Sequence, residues 1–240
     1  MRAAEALARF RNAPPAGLDA IVRGPFTVLA PHPDDESLGC GGLIAQAAAA
    51  GIPAHVVVLT DGTGSHPNSR RFPAPALAAL REGEARAAVR ALGLSADRVA
   101  FLHAPDTRAP HAGPAFDALV DALALRLRAT GSRTLFATWR HDPHGDHAAA
   151  HLIAAAAARR AGARLMSYPV WGWTLPDDTE VDAPAAMRLD VSGQLAAKRR
   201  AIAAHRSQMT DLIDDDPDGF RLPEDFVALH TGTWEVFLDA

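Results

Sequence analysis

The sequence contains one cysteine, one lysine and one tyrosine among its 240 residues. A single cysteine, Cys40, excludes a disulfide framework and favours a reducing compartment, so we expect a cytoplasmic protein. No apolar run approaches the roughly 18 residues of a membrane-spanning helix, and the N-terminus lacks the continuous apolar core of a signal peptide. The net charge of −4 argues against a nucleic-acid-binding protein, which would carry a basic excess.

Short apolar runs alternate with longer helical patterns over most of the chain. Predicted strands cover residues 26–30, 55–60, 99–102, 133–138 and 164–168, and predicted helices cover residues 37–50, 75–92, 114–130 and 146–161. Ser37 is the predicted N-cap of the first of these helices, and the glycines 39, 41 and 42 indicate a close approach of this helix to the sheet. The alternation predicts an α/β fold, a Rossmann-like three-layer sandwich with a mainly parallel sheet.

The pattern becomes less regular after residue 169. A strand over 186–191 and a helix over 194–205 are predicted there, followed by an acidic run over 211–219 that is interpreted as a solvated loop, with contact with substrate as the alternative. Since no linker or repeat interrupts the chain, we expect one domain over residues 1–240, with a core over about 25–170 and a C-terminal elaboration over about 171–240. Homo-oligomerisation is left open.

Three predicted strands end in loops that carry reactive side chains. The loops read PHPDDE after the first strand, TDGTGSH after the second and WRHDPHGDHAAAH after the fourth. In open α/β sheets, ligands bind beyond the carboxyl ends of the strands. The three loops together therefore predict one site.

The residue types in these loops are those of a metal site. His32 and Asp35 are three residues apart on a turn, and His147 can supply a third ligand from the start of its helix. Two imidazoles and one carboxylate are the ligand set of catalytic zinc or of non-haem iron(II), so Zn²⁺ is predicted, with Fe²⁺ as the alternative ion. His151, one turn beyond His147, is the rival third ligand, although His147 lies nearer the end of the strand.

Two further side chains suit catalysis beside such a metal. Asp34 is placed as a general base, and His144 can protonate a leaving group or stabilise an oxyanion. Asp146 is predicted to orient an imidazole of the site, to cap the helix as its N-cap, or to do both.

These motifs resemble those of the PIG-L/LmbE family of metal-dependent de-N-acetylases. PHPDDE matches the family's first motif in full, and HDPHGDH corresponds to its second, with Gly145 where proline is common. Similar features continue through TDG at residues 60–62 and KRRAIAAHRSQ at residues 198–208, so the resemblance covers about residues 25–210.

The resemblance assigns roles to the residues of the two motifs. It implies that His32, Asp35 and His147 bind zinc, that Asp34 is the general base, and that His144 is the acid and oxyanion stabiliser. By analogy, it favours His147 over the rival histidine as the third ligand.

The resemblance also points to two substrate-contacting residues. Arg81 is similar to a substrate-binding arginine of some members, with a surface ion pair to Glu84 as the alternative, and His205 is expected to line the pocket unless its role is structural. Some members place a tyrosine near the second motif, whereas the single tyrosine here, Tyr168, lies elsewhere.

The resulting functional hypothesis is a zinc-dependent hydrolase that removes an N-acetyl group from an amino-sugar conjugate, an N-acetylglucosaminyl small molecule. The alternatives are a metal-dependent phosphoesterase, which would favour two metals and more carboxylate ligands, and a non-catalytic sugar- or metal-binding module. The expected partner is a small N-acetylated sugar conjugate, with no nucleic acid and no membrane span.

Overall fold

One sheet of seven strands forms the centre of the computed structural model, which describes residues 1–240. The strands are β1 (Phe26–Ala30), β2 (Ala54–Thr60), β3 (Val99–Ala104), β4 (Thr134–Thr138), β5 (Arg164–Tyr168), β6 (Ala186–Asp190) and β7 (Trp234–Asp239). Their order across the sheet is β3-β2-β1-β4-β5-β7-β6. The first five strands are parallel, and β7 runs antiparallel to both β5 and β6, so the predicted mainly parallel sheet is confirmed.

Helices cover both faces of this sheet. They are α1 (Ala3–Arg11), α2 (Leu18–Ile21), α3 (Asp35–Ala49), α4 (Ala74–Ala91), α5 (Gly113–Ala129), α6 (Gly145–Ala161), α7 (Leu195–Ala204), α8 (Arg206–Met209) and α9 (Glu224–His230), with short 3₁₀ turns at Ala96–Arg98, Trp171–Thr174 and Ser192–Gln194. No helix is both long enough and apolar enough to cross a membrane.

The apolar side chains of the strands alternate between two buried clusters. On β2, Val56 and Val58 belong to the cluster that includes residues of α3, α4 and α7, whereas Val57 and Leu59 belong to the cluster under α5 and α6. Because successive side chains of a strand point to opposite faces, both faces of the sheet become core. The predicted three-layer sandwich is confirmed.

The start of α3 differs from the prediction. The helix begins at Asp35, two residues before Ser37, because the backbone carbonyl of Asp34 accepts the N–H groups of Ser37 and Leu38 at 2.9 and 3.0 Å. The Ser37 hydroxyl donates to Glu36 Oε1 at 2.7 Å instead of capping the helix. The prediction of Ser37 as the N-cap is therefore wrong, since the acidic motif itself forms the first turn.

Glycines allow α3 to lie very close to its neighbours. A Cβ atom on Gly39 would stand 2.2 Å from the ring of Tyr168 on β5, and one on Gly42 would stand 2.5 Å from Val191. The predicted close approach of this helix to the sheet is confirmed.

The C-terminal segment is part of the sheet. β7 is inserted between β5 and β6, where Ser167 pairs with Leu238 on one side and Arg188 pairs with Val236 on the other. β6 ends one residue before its predicted end, and α7 begins one residue later than predicted because a 3₁₀ turn precedes it.

The order of the strands determines where a site can form. From β1 the chain moves outward through β2 and β3, and it then returns to the other side of β1 to form β4 and β5. The loops after β1 and β4 therefore diverge at the point where the strand order reverses, which is the usual ligand crevice of open α/β sheets. These two loops are the PHPDDE and HDPHGDH segments.

Candidate active site

The two histidine-containing motifs meet at the carboxyl ends of β1 and β4. Asp35 Oδ2 lies 3.3 Å from His32 Nδ1 and 3.3 Å from His147 Nε2. His144 joins them, because one ring nitrogen from each of the three histidines lies within 4.8 Å of the other two. The structure therefore gathers imidazole nitrogens and a carboxylate that could hold a metal ion.

Carboxylates hold two of these imidazoles from the opposite side of the ring. His147 Nδ1 lies 2.9 Å from Asp142 Oδ2, and His32 Nε2 lies 3.0 Å from Asp146 Oδ2 and 3.2 Å from Asp106 Oδ1. A carboxylate on one ring nitrogen fixes the ring and leaves the lone pair of the other nitrogen for a metal.

Two observations test whether a cation fits here. His147 Nε2 is buried without a hydrogen-bond partner, although buried polar atoms normally have one. Among the side chains that line the adjoining cavity, Arg81 is the one permanent cation, against the carboxylates of Asp34, Asp35 and Asp106. A free buried nitrogen and a surplus of buried carboxylates both fit a divalent cation.

The same surplus shifts the titration of the imidazoles. Burial would lower the pKa of His32, but hydrogen bonds to carboxylates, first that of Asp106, raise it well above its ordinary value. Burial would likewise lower the pKa of His147, but the charge of Asp35 raises it to about 9. In return, and against the effect of burial, His147 holds the pKa of Asp35 well below its ordinary value.

Asp34 occupies a different environment from its neighbour Asp35. It is 6% exposed, its carboxylate lies 3.2 Å from Arg81 Nη2, and its backbone φ of 149° is unfavourable for a side chain. Burial raises the pKa of Asp34 to about 7, although the Arg81 guanidinium favours the ionised form. A carboxyl group that titrates near neutrality is suited to exchange protons with a substrate or with water.

His144 presents one ring nitrogen to the cavity. It is the N-cap residue of α6, and its Nδ1 accepts the backbone N–H of Asp146 at 3.2 Å. Burial lowers the pKa of His144, and the nearby His32 and His147 lower it further. With Nδ1 occupied as an acceptor, Nε2 is the nitrogen that carries the proton of the neutral ring.

Asp146 does not cap the helix, so that part of the prediction is wrong. Its carboxylate accepts the backbone N–H groups of Thr107 and Ala109 at 2.7 and 2.9 Å, in addition to its contact with His32. The cap position belongs to the residue two before it, because the turn into α6 starts at His144. Asp146 thus links the loop after β3 to an imidazole of the site.

A cavity of about 220 Å³ opens above these groups. Asp34, Asp35, His32 and His144 form its polar floor. Its volume is below the roughly 300–1,000 Å³ of pockets for drug-sized ligands, which fits a substrate that inserts one small unit.

The two residues predicted to bind substrate lie in different places. Arg81 lines the cavity and donates to the carbonyls of Gly62 and Pro33 at 2.9 Å each, besides its ion pair with Asp34. The alternative pairing with Glu84 is wrong, because that carboxylate accepts the backbone N–H and hydroxyl of a serine on α8.

His205 is fully buried and is not among the residues that line the cavity. Its Nε2 lies 3.1 Å from Glu36 Oε1 and 3.2 Å from the Ser37 hydroxyl. Glu36 Oε2 in turn accepts the backbone N–H of Asp34 at 3.1 Å. His205 therefore stabilises the turn at Asp34 and Glu36 through hydrogen bonds, without lining the cavity.

His151 lies outside the group of ring nitrogens. Its Nδ1 is 3.1 Å from the carbonyl of Thr138, and it has no place in the groups of residues that could hold a metal ion. Of the two rival histidines, His147 is the one that faces Asp35.

Sequence reasoning missed two carboxylates, Asp106 and Asp142. Asp106 contacts His32 and accepts the backbone N–H of Gly64 at 2.8 Å. Asp142 contacts His147 and accepts the N–H groups of residues 170–172. The one available signal was position, because both carboxylates follow a strand of the parallel sheet within a few residues.

Comparison with known proteins gives one consistent result. The family model for PIG-L, GlcNAc-PI de-N-acetylase, matches residues 27–158. A 1D-myo-inositol 2-acetamido-2-deoxy-alpha-D-glucopyranoside deacetylase from Actinosynnema mirum is 32% identical, over 75% of this chain and 78% of its own. A 2'-N-acetylparomamine deacetylase from Streptomyces fradiae is 29% identical, over 80% of this chain and 76% of its own.

A solved structure with a similar fold was also found. The conserved protein TT1542 from Thermus thermophilus superposes with a TM-score of 0.65 at 28% identity, over 89% of this chain and 93% of its own. The family match covers both motifs of the site, from the start of β1 to near the end of α6. The chain belongs to the PIG-L family.

Proposed function

We propose that this chain is a zinc-dependent hydrolase that removes the N-acetyl group from an amino-sugar conjugate, with an N-acetylglucosaminyl small molecule as the substrate. The observation that carries the proposal is the pairing of Asp34 and His144 on the floor of one cavity, beside the imidazoles of His32 and His147. Family membership supports it, since the relatives are deacetylases of a glucosaminyl inositol and of N-acetylparomamine.

His32, Asp35 and His147 would hold the ion. The free, buried Nε2 of His147 and its 3.3 Å distance to Asp35 Oδ2 support this assignment. When bound, Zn²⁺ lowers the pKa of a coordinated water and polarises a carbonyl group. Carboxylates on the far ring nitrogens of both histidines would keep the rings turned toward the ion.

Asp34 and His144 would carry the protons. Asp34, ionised above its pKa of about 7, accepts a proton from the attacking water at its carboxylate. His144 donates a hydrogen bond from Nε2 to the oxygen that gains negative charge. The proton held by Asp34, or by a protonated His144, then passes to the amine nitrogen as the C–N bond breaks. Arg81 holds Asp34 in place through the contact at 3.2 Å.

We also propose that residues 1–240 act as a single domain. The insertion of β7 between β5 and β6 supports this, because the C-terminal segment completes the same sheet as the core. His205 then serves the site through Glu36 and not by contact with substrate.

Acetate release from methyl N-acetylglucosaminide, with metal analysis of the same sample, tests the proposed function. We expect catalytic release of acetate and one zinc per chain. Two metals per chain with hydrolysis of phosphate esters would instead identify a phosphoesterase. Zinc binding without any release of acetate would identify a binding module.

A further inference from the structure

One wall of the cavity is apolar, in contrast to its floor. Leu38, Trp171, Phe220 and Leu222 line it. Leu38 and Leu222 belong to the large buried cluster on this face of the sheet, and Trp171 packs against that cluster. The rings of Trp171 and Phe220 meet edge to face, with centroids 5.9 Å apart. This apolar wall is therefore continuous from the core to the cavity rim.

Phe220 is the outer end of the apolar wall. It is 40% exposed, and of the large exposed apolar side chains it is the one that lines the cavity. The cavity of about 220 Å³ has room for one small unit, so a group attached to that unit must extend out of the cavity past its rim. An attached group that protrudes there would lie against Phe220 and Trp171.

Trp171 is held rigidly in this wall. One face of its indole stacks on the buried Phe226, with centroids 3.8 Å apart, and its backbone N–H donates to Asp142 Oδ2 at 3.0 Å. Since Asp142 Oδ2 also contacts His147, the same carboxylate positions the wall and the candidate metal site. A fixed aromatic face beside a reactive centre is suited to positioning a ligand.

Phe220 is held by a contact between two loops. Its backbone N–H donates to the carbonyl of Ser65. Nearby, Asp215 accepts the Ser69 hydroxyl and the N–H groups of Arg70 and Arg71 at 2.7 to 2.9 Å. The acidic run is thus bonded to the loop after β2. Asp216 accepts the backbone N–H of Asn68 at 2.8 Å and is 4% exposed, so the interpretation of the run as a solvated loop is wrong at that aspartate.

From the apolar wall we infer that the natural substrates carry an aromatic or alkyl group next to the N-acetylated sugar, and that Phe220 and Trp171 select for it. The inference rests on the proposed function and adds the chemical class of the attached group. A polar attached group would lose hydration against these rings without gaining hydrogen bonds, whereas an apolar group would gain by burial.

The test compares acetate release from the phenyl and methyl glycosides of N-acetylglucosamine, and from an inositol glycoside, by the zinc-loaded full chain. We expect kcat/KM to be about tenfold higher for the phenyl glycoside than for the other two. Phe220→Ala should lower the preference for the phenyl over the methyl glycoside by about that factor, so that the two values of kcat/KM become nearly equal. Asp215→Ala, which loosens the loop that carries Phe220, should act in the same direction with a smaller effect.

Leu125→Ala is the matched control, because Leu125 is a large apolar side chain on α5, 62% exposed and outside the cavity. It should leave all three rates unchanged. Equal rates on the three glycosides, or the highest rate on the inositol glycoside, would overturn the inference while the proposed function stands. No acetate from any glycoside would overturn both.

Discussion

Two adjacent aspartates of the first motif have opposite titration behaviour. Asp35 sits between two imidazoles, which hold its pKa well below the ordinary value, whereas burial raises the pKa of Asp34 to about 7. Carboxyl groups whose environments separate their pKa values in this way can take different roles at one pH. Asp35 is suited to bind a cation, and Asp34 is suited to accept a proton.

Asp34→Asn tests this division. The amide has the shape of the carboxylate but no basicity, so we expect kcat to fall by about 10²–10⁴-fold with zinc content unchanged. His147→Ala should lose both zinc and activity, because it removes the nitrogen opposite Asp35. Zinc by mass spectrometry and acetate release are measured on each variant.

Asp121→Asn is the control for this pair, because Asp121 is 72% exposed on α5 and is not among the residues that line the cavity. It should match the wild type in both measurements. Near wild-type turnover in Asp34→Asn would contradict the role of this residue as the base.

Asp142 offers a second test at the scale of single residues. It is buried, contacts His147 Nδ1 at 2.9 Å and accepts three backbone N–H groups of residues 170–172. Because an amide nitrogen in Asp142→Asn would face some of these donors, we expect zinc affinity to fall about 10–100-fold. Competition with a chelator measures the affinity, and Asp182→Asn, an exposed aspartate, is the control. An unchanged affinity would exclude Asp142 as a support of the metal site.

At the scale of elements, α3 depends on a buried ion pair contributed by other parts of the chain. Lys198 Nζ on α7 lies 2.7 Å from Glu235 Oε1 on β7, and both side chains are about 2% exposed. The same carboxylate accepts the backbone N–H groups of Gly42 and Leu43 at 2.6 and 2.8 Å. Glu235 therefore joins β7, α7 and the middle of α3.

Glu235→Gln should destabilise the fold by about 3–5 kcal/mol, because it leaves the Lys198 ammonium buried without a counter-charge. Adding Lys198→Met should restore part of that loss. Urea unfolding of the two single variants and the double variant measures the coupling. The exposed pair of Arg160 and Asp121 is the matched control, where Asp121→Ala should cost less than about 1 kcal/mol. Equal losses of unfolding free energy at the two pairs would show that the buried Lys198–Glu235 pair stabilises the fold no more than an exposed pair does.

The core elements were predictable because each carries its own local signal. β1 and β5 have the predicted bounds, since a proline follows each of them directly and marks where the strand ends. β7 was not predicted: Glu235 interrupts its apolar run, and its buried position depends on a lysine 37 residues earlier. The helices α1, α2, α8 and α9 were also missed, and three of them, α2 and α8 with four residues each and α9 with seven, are too short for a clear periodicity.

The site was predictable to a similar extent. His32 and Asp35 are recognisable because their spacing in the chain places them on one turn, whereas the choice of His147 over His151 rested on the family resemblance. Asp106 stands alone in the sequence, and its contact with His32 arises from the order of the strands. Asp142 lies within the second motif, but its spacing from His147 does not show that the two side chains meet. Asp142 precedes a proline, so in the sequence it reads as an ordinary turn residue.

At the scale of the whole molecule, one buried histidine makes the fold sensitive to acid. Burial, with a smaller effect from Lys198, lowers the pKa of His230 to about 3, while Asp35 and the backbone of Leu38 and Val170 oppose the shift. As the pH falls below the ordinary histidine pKa of about 6.5, His230 binds a proton in the unfolded chain but not in the folded chain. The free energy of unfolding therefore falls between that pH and the folded-state pKa.

His230→Gln removes this titration. Between pH 7 and pH 5 the wild type should lose about 2 kcal/mol more of its free energy of unfolding than the variant does. Other titrating groups, including Asp34, cancel in this difference because they are common to both chains. Urea unfolding at the two pH values gives the result, and parallel pH profiles would show that His230 is protonated in the folded state.

The position of β7 also has a consequence for how the chain folds during synthesis. β6 pairs with no strand except β7, and Glu235 is the counter-charge of Lys198. Until residues 234–239 leave the ribosome, β6 in the nascent chain is paired only at Arg188, with the backbone of residues 14–16, and the Lys198 ammonium lacks its buried counter-charge. The first five strands can already pair by then, since they form one parallel block. The contact of α3 with Glu235 is therefore completed after the loops that carry the histidines are in place.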